Sequence, residues 1–399
     1  MLVFKRIWCR AYQIVFRSLL PFLPYREPEL LSDCSKLGML LKQENIRSVL
    51  VVTDVGIVKN RLVLPVEDAL KRENINFIIY DKTQPNPTVD NVEEALNVYL
   101  QNKCEALIAI GGGSSMDCAK AIGARAVYPR KALGELGGKL KILKKLPTLI
   151  AIPTTAGTGS EVTLAALVTD PGKHRKYALM SFPLIPRYAV LDPSLTYSLP
   201  PHLTATTGMD ALTHAVEAYI GRSTTKKTRS LALEATKLIF ENLEKAYNNG
   251  DDGEARRNML NASYKAGVAF SMSYVGYVHA IAHSIGGRYG TAHGLANAVI
   301  MPYVLEAYGK SAHKKLYRLG LAAGACNESD SYEIGAKKFI EAIREMNERM
   351  SIPPALCEIK AADIPQMAKH AEREANPLYP VPKLMTAREL EKIYMNIAE

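Results

Sequence analysis

The chain has 399 residues, 48% of them hydrophobic and 23% charged, a balance that supports a large buried core in two domains and excludes a disordered or fibrous protein. Its six cysteines (Cys9, Cys34, Cys104, Cys118, Cys326 and Cys357) form no CxxC pair, which excludes a thiolate zinc site or a disulfide framework and leads us to expect a cytoplasmic protein. The net charge of +10 does not point to nucleic acid: residues 121–190 carry eleven Lys or Arg against Glu135, Glu161 and Asp170, without aromatic interleaving, as suits an anionic small molecule or a solvated face.

In chain order, residues 1–28 come first, with Lys5, Arg6, Arg10 and Arg17 interleaved among large apolar side chains. Arg10 and Arg17 interrupt any signal-peptide core, and no apolar run nears the ~18 to 20 residues of a membrane span. An amphipathic helical extension packed on the body is expected, without membrane contact. Residues 29–200 alternate short β-branched runs (48–54, 75–81, 106–110, 147–153) with helix-like stretches (60–73, 89–102, 115–127). Such alternation implies a Rossmann-like α/β domain with a parallel, doubly wound sheet. Further extended segments are expected at 165–170, 176–181 and 188–192. Past Leu199-Pro200-Pro201 the periodicity becomes helical (208–221, 227–248, 254–271, 274–286, 296–308, 332–350, 386–397), so 201–399 is expected to be an all-α domain.

Two loops in the first half suit a dinucleotide. Strand 106–110 runs into Gly111-Gly112-Gly113-Ser114-Ser115 and then a helix, where glycines allow close backbone approach and the helix start favours a phosphate. After strand 147–152 comes Pro153-Thr154-Thr155-Ala156-Gly157-Thr158-Gly159, rich in hydroxyls at the carboxyl end of a strand. Asp54 ends strand 48–54, where a carboxylate accepts bonds from ribose hydroxyls and repels a 2′-phosphate, favouring NAD over NADP. Neither loop carries the GxGxxG fingerprint.

The second half concentrates metal-type donors. Of eight histidines, His279, His283 and His293 fall within fifteen residues. His279 and His283 are four apart, as are Asp210 and His214, so each pair shares one helix face. Five donors in apolar helical sequence would be costly to bury unpartnered. Imidazoles with a carboxylate suit Fe2+ or Zn2+ better than Mg2+ or Ca2+. Spacing alone does not separate His279 from His283.

With these motifs read, the chain resembles the iron-containing alcohol dehydrogenases, a family that includes lactaldehyde reductases and butanol dehydrogenases. GGGSSMDCAK (111–120), PTTAGTGSEVT (153–163), GMDALTHAVEAY (208–219) and HAIAHSIGGRYGTAHG (279–294) carry the likeness. The resemblance implies the dehydroquinate synthase-like architecture, reversible hydride transfer between a small primary alcohol and NAD, and a homodimer or larger assembly. By it the metal ligands are Asp210, His214, His279 and His293, with Fe2+ ahead of Zn2+, while His283 lies near nicotinamide and substrate as a proton relay. The cofactor positions it implies are Asp54, Asn86, Gly112, Gly113, Ser114, Thr154, Thr155, Thr158, Thr163 and Lys176. Met272, Tyr274 and Tyr277 depart from the family pattern and become candidate walls of a small pocket, or simply core filling. Two alternatives stand beside this reading. One is a dehydroquinate synthase-like or glycerol dehydrogenase-like enzyme, for which Lys265, Arg288 and Lys310 would be phosphate-binding cations; the other is a non-enzymatic nucleotide- or metal-binding protein.

Overall fold

The computed structural model describes residues 3–173 and 175–398; the side chains of Val3, Pro21, Lys173, Arg175 and Lys176 fall outside that description. The chain divides into two compact units, one running from Pro24 to Leu199 and the other formed by the segment ending at Leu23 together with residues from Pro200 onward. The N-terminal extension thus belongs to the helical unit.

The first unit is built on strands β1 (Glu29–Leu31), β2 (Ser48–Val52), β3 (Asn76–Tyr80), β4 (Ala106–Gly111), β5 (Gly138–Lys139), β6 (Thr148–Pro153), β7 (Ala165–Asp170), β8 (Arg175–Met180) and β9 (Tyr188–Val190). Six form a sheet in the order β1-β9-β6-β4-β2-β3, with every pairing parallel. Helices cover both faces, which is why the strands read as nearly unbroken apolar runs. Leu50, Val52, Leu107 and Ala109 pack with Val92, Leu96 and Met116 on one face. Val49, Val51, Ile108 and Ile110 pack with Leu37, Leu41 and Leu70 on the other. From β3 the chain crosses back over β2 to reach β4, so the carboxyl ends of β2 and β4 flank a topological switch point, where sheets of this kind bind ligands. Extended segments 165–170 and 176–181 leave the main sheet and pair antiparallel as β7 and β8, with β5 on the outer side of β8.

The second unit contains the N-terminal helix α1 (Val3–Leu19), and the structure describes no strand within it. Four helices matter most for the site: α3 (Pro201–Ile220), α4 (Gly253–Ser273), α5 (Tyr277–Tyr289) and α6 (His293–Tyr308). In the first unit, α2 (Gly113–Val127) follows the glycine turn. A further helix, α7 (Ile364–Ala375), was not expected from the sequence, although Ile364, Met367, Ala368, Ala371 and Ala375 bury one face at helical spacing.

Helix α1 docks through polar groups. Gln13 Nε2 donates to the carbonyls of Pro377 (3.2 Å) and Tyr379 (2.8 Å), and the Arg10 guanidinium donates to those of Val381 (2.8 Å) and Pro382 (2.9 Å). Phe16 meets Tyr274 edge-on at 5.1 Å. Packing on the body is realised, but the large apolar side chains of α1 lie on its outer face.

Candidate dinucleotide loops and metal centre

At the carboxyl ends of β2, β4 and β6 the structure brings several expected cofactor positions together. Gly111 adopts φ +143°, and a Cβ there would meet Ser115 Oγ at 2.6 Å, so this turn requires glycine. Gly112 caps α2 without a side chain, leaving the first N–H groups of that helix open to an anion. Asp54 caps the short helix Val55–Lys59 by accepting from Ile57 N (3.1 Å). Asn86, at φ +56°, donates its N–H to Ser114 Oγ (3.2 Å), which ties the turn after β3 to the start of α2. Thr155 and Thr158 lie beside Gly112 and Gly113, so a Cβ on Gly113 would be 3.1 Å from Thr158 Cγ2.

Thr154 and Thr163 are different: both are buried. The Thr163 hydroxyl accepts from Lys120 Nζ (2.8 Å), which also donates to Ser160 O (2.7 Å), Ser160 Oγ (3.0 Å) and Ala165 O (2.9 Å). Lys120 is fully buried, and burial lowers its ammonium to about 8. Burial likewise lifts the Glu161 carboxyl to about 7. Sequence reasoning missed this cluster, which fastens α2 to the threonine loop. Lys176 pairs through its backbone with Thr169, and its side chain lies outside the described residues.

In the helical unit, Asp210 on α3, His279 on α5 and His293 on α6 offer ligand atoms that all lie within 4.8 Å of one another. Asp210 Oδ1 is 3.5 Å from His293 Nε2 and 3.9 Å from His279 Nε2. His293 lies before the helix expected at 296–308; it is instead the first residue of α6, which fixes its backbone. Asn297, one turn later on α6, donates to Asp210 Oδ1 (2.7 Å) and lies 3.1 Å from His293 Nε2. His214 stands beside this group. Its ring is 4.6 Å from that of His279 and stacks on Phe270 at 4.0 Å. His283 is outside the group as well, stacked on His293 with ring centroids 5.3 Å apart.

Each histidine of the α5 pair has its Nδ1 bound to a different carboxylate. His279 Nδ1 donates to Glu217 Oε2 (2.7 Å), which also accepts from Gly276 N (2.7 Å), while Oε1 accepts from Val278 N (2.8 Å). Glu217 therefore caps α5 from another helix, and this explains why that helix starts at Tyr277 and not at 274 as expected. A Cβ on Gly276 would sit 2.6 Å from Glu217 Oε1, so only glycine admits the carboxylate. Burial raises Glu217 to about 7 against these donors, and burial lowers the His279 imidazole well below its ordinary value. The Nε2 of His279 is thereby left to face Asp210 and His293 as an acceptor. His283 Nδ1 bonds Glu374 Oε1 on α7 at 2.6 Å, and the Tyr379 hydroxyl donates to the same oxygen (2.8 Å). Burial pushes Glu374 up, but His283 and Tyr379 outweigh it and hold the carboxylate below its usual range. The pair borders a cleft of about 350 Å³ whose other walls include Arg288, Gln366 and His370.

The iron-containing alcohol dehydrogenase model matches residues 32–193, and the model of that family's C-terminal part matches residues 204–398. The chain belongs to the iron-containing alcohol dehydrogenases. It is an oxidoreductase, 40% identical to alcohol dehydrogenase 4 of Saccharomyces cerevisiae over 84% of this chain and 87% of that one. A solved 1,3-propanediol oxidoreductase superposes with a TM-score of 0.90 at 34% identity, covering 93% of this chain and 98% of that one. Sulfoacetaldehyde reductase from Bifidobacterium kashiwanohense, solved in complex with NAD+, has a TM-score of 0.83 at 26% identity, covering 94% and 98%.

Within this dehydrogenase two of the three suspected pocket walls, Tyr274 and Tyr277, do other work. Tyr277 is fully buried, and its hydroxyl exchanges hydrogen bonds with Asn376 and with Met385 N and O. Tyr274 packs between Phe16 and Tyr379. Two of the three cations weighed for a phosphate site are committed to carboxylates, Lys265 to Glu234 (2.8 Å) and Arg288 to Asp363 (2.5 Å). Sequence reasoning missed Glu217, Asn297 and Glu374. Glu217 and Asn297 carried a signal, standing seven residues after Asp210 and four after His293, on the same helix faces.

Proposed function

We propose that this chain is an NAD(H)- and divalent-metal-dependent alcohol dehydrogenase that interconverts a small primary alcohol and its aldehyde. The convergence of Asp210, His279 and His293 carries the reading. One carboxylate and imidazoles fit Fe2+ or Zn2+, and the Glu217 contact commits His279 to ligation through Nε2. His214, whose ring adjoins that of His279, is the fourth ligand of the proposed set. Fe2+ is preferred on the family likeness.

Asp54, Asn86, Gly112, Gly113, Ser114, Thr155 and Thr158 are the proposed dinucleotide contacts. Asp54, at the end of β2, favours NAD over NADP by repelling a 2′-phosphate. Thr154, Thr163 and Lys176 remain in the proposed set, with Thr163 supporting the loop from beneath. When bound, the ion supplies Lewis-acid polarisation of the substrate oxygen and the nicotinamide supplies the hydride acceptor. His283 is the proposed proton relay: with Nδ1–H donated to Glu374, its Nε2 accepts the alcohol proton. The free cysteines favour a reducing cytoplasm, and the proposed assembly is a homodimer or larger.

The test is NADH oxidation against a panel of short aldehydes, with protein loaded separately with Fe2+ and Zn2+. Stoichiometric NADH consumption that a chelator abolishes supports the reading. No oxidation with either metal, or cofactor returned unchanged as in a lyase, contradicts it.

A further inference from the structure

Helix α1 precedes the residues matched by the family models, which begin at 32. Its orientation is unusual for a surface helix, because the buried side chains on it include Cys9 and Gln13 while the apolar stripe faces outward. Phe4, Ile7, Trp8, Ile14, Val15 and Phe22 are 60–84% exposed. Their spacing follows the helical repeat, so they form one continuous stripe along α1 and its 3₁₀ extension Leu20–Phe22. A patch of this extent on a folded protein marks a surface that is covered in use.

What covers it follows from the charges around it. Arg17 is exposed to one side of the stripe, while Lys5 at its other side is paired with Glu372 Oε1 (2.9 Å). Ser223 Oγ donates to Gln13 O (3.4 Å), which brings the turn after α3 against the helix. Arg222 lies on that turn, its N–H donated to Pro380 O (2.6 Å) beside the carbonyls that hold Arg10. Lys315 reaches the same turn, donating to Ile220 O (3.1 Å) and to Gly221 O. Burial, and after it the fields of Arg229, Arg17, Arg222 and Arg318, hold the Lys315 ammonium down at about 8. Two copies meeting stripe to stripe about a twofold axis would press these cations against their own counterparts. An anionic surface neutralises them.

We propose that the outer face of α1, with its rim of cations, is a docking surface for anionic phospholipid headgroups, and that the helix lies in the plane of the bilayer interface. The apolar side chains enter the headgroup–acyl boundary while Arg17 and Arg222 contact phosphates, the arrangement by which amphipathic helices bind membranes reversibly. No described helix is long and apolar enough to cross a membrane, so the attachment is peripheral. The sequence led us to expect packing on the body without membrane contact; because the polar face does the packing, the apolar face is free for this second role.

Trp8 is the chain's single tryptophan, so its emission reports on this face alone. The experiment uses the metal-loaded full chain with phosphatidylglycerol–phosphatidylcholine vesicles and with phosphatidylcholine vesicles. Binding is followed by sedimentation and by Trp8 emission. The proposal predicts co-sedimentation with the anionic vesicles, a shift of Trp8 to shorter wavelength, and release by added salt. Ile7→Glu with Val15→Glu, and separately Arg17→Glu, should each weaken vesicle binding by on the order of tenfold or more. These exposed positions leave aldehyde reduction in solution unchanged. Absence of binding with unchanged Trp8 emission overturns the proposal. So does a Trp8 shift that depends on protein concentration without vesicles, which would give the face to a second copy, and so does equal, salt-insensitive binding to phosphatidylcholine alone.

Discussion

Glu217→Gln separates support of the proposed metal ligand His279 from support of the fold. The native carboxylate accepts from Gly276 N and His279 Nδ1 through Oε2 and from Val278 N through Oε1. A glutamine with its oxygen at the Oε2 position keeps the first two bonds and sets an amide N–H against Val278 N–H. Losing that bond to a carboxylate, with a buried donor left over, costs about 1.5–3 kcal/mol of stability. The imidazole of His279 also loses a charged partner, and such changes lower metal affinity roughly 10- to 100-fold, or about 1.4–2.7 kcal/mol. Chelator competition measures the second effect, and urea unfolding of the metal-free protein the first. A variant that is destabilised but holds metal as tightly as the parent would refute the claim that Glu217 acts through His279.

Other expectations follow from the same geometry. Lys120→Met removes the short ammonium bonds to Ser160 O and Ala165 O, which keep only the longer bonds from Thr163 (3.3–3.4 Å), a loss of about 1–3 kcal/mol offset in part by no longer burying an ammonium; urea unfolding showing a more stable variant would exclude this role. His283→Ala should lower turnover by roughly 10²-fold or more with metal content intact, and Glu374→Gln, which keeps an acceptor for Nδ1–H, by less; metal loss from His283→Ala would make His283 a ligand. Glu161 is buried with its carboxyl raised to about 7, so its contribution to stability is complete below about 4.5 and is lost as pH rises through 7. The stability of the parent relative to Glu161→Gln should therefore decline by up to about 3 kcal/mol across that window, and a difference that grows with pH would contradict it.

The sheet was legible because strands buried on both faces leave unbroken apolar runs, as at Ser48–Val52 and Ala106–Gly111. The helical half was legible in outline, apart from α7 and the helix His313–Ala322, both short and each burying only a few side chains. Of the five donors singled out, Asp210, His279 and His293 converge, and they come from three helices that are apolar nearly all round, against which a polar donor stands out in sequence. The partners that orient them were harder to read, since Glu217 meets its histidine about sixty residues further on and no local pattern reports that contact. Tyr274 and Tyr277 look like pocket walls in sequence, because an aromatic residue near a histidine pair has the same composition whether it faces a substrate or the core. Helix α1 misled in the opposite way. Its apolar stripe suggests the buried face, but the carbonyls of the 377–382 segment recruit donors, and Gln13 and Arg10 turn inward to supply them.

The most direct test of the account is metal content of protein purified without added metal, compared with Asp210→Ala and His279→Ala. One divalent ion per chain in the parent, lost from both variants while their far-ultraviolet circular dichroism is unchanged, is the predicted result. A parent free of metal that still reduces aldehydes with NADH, or variants that retain the ion, would contradict the proposed centre.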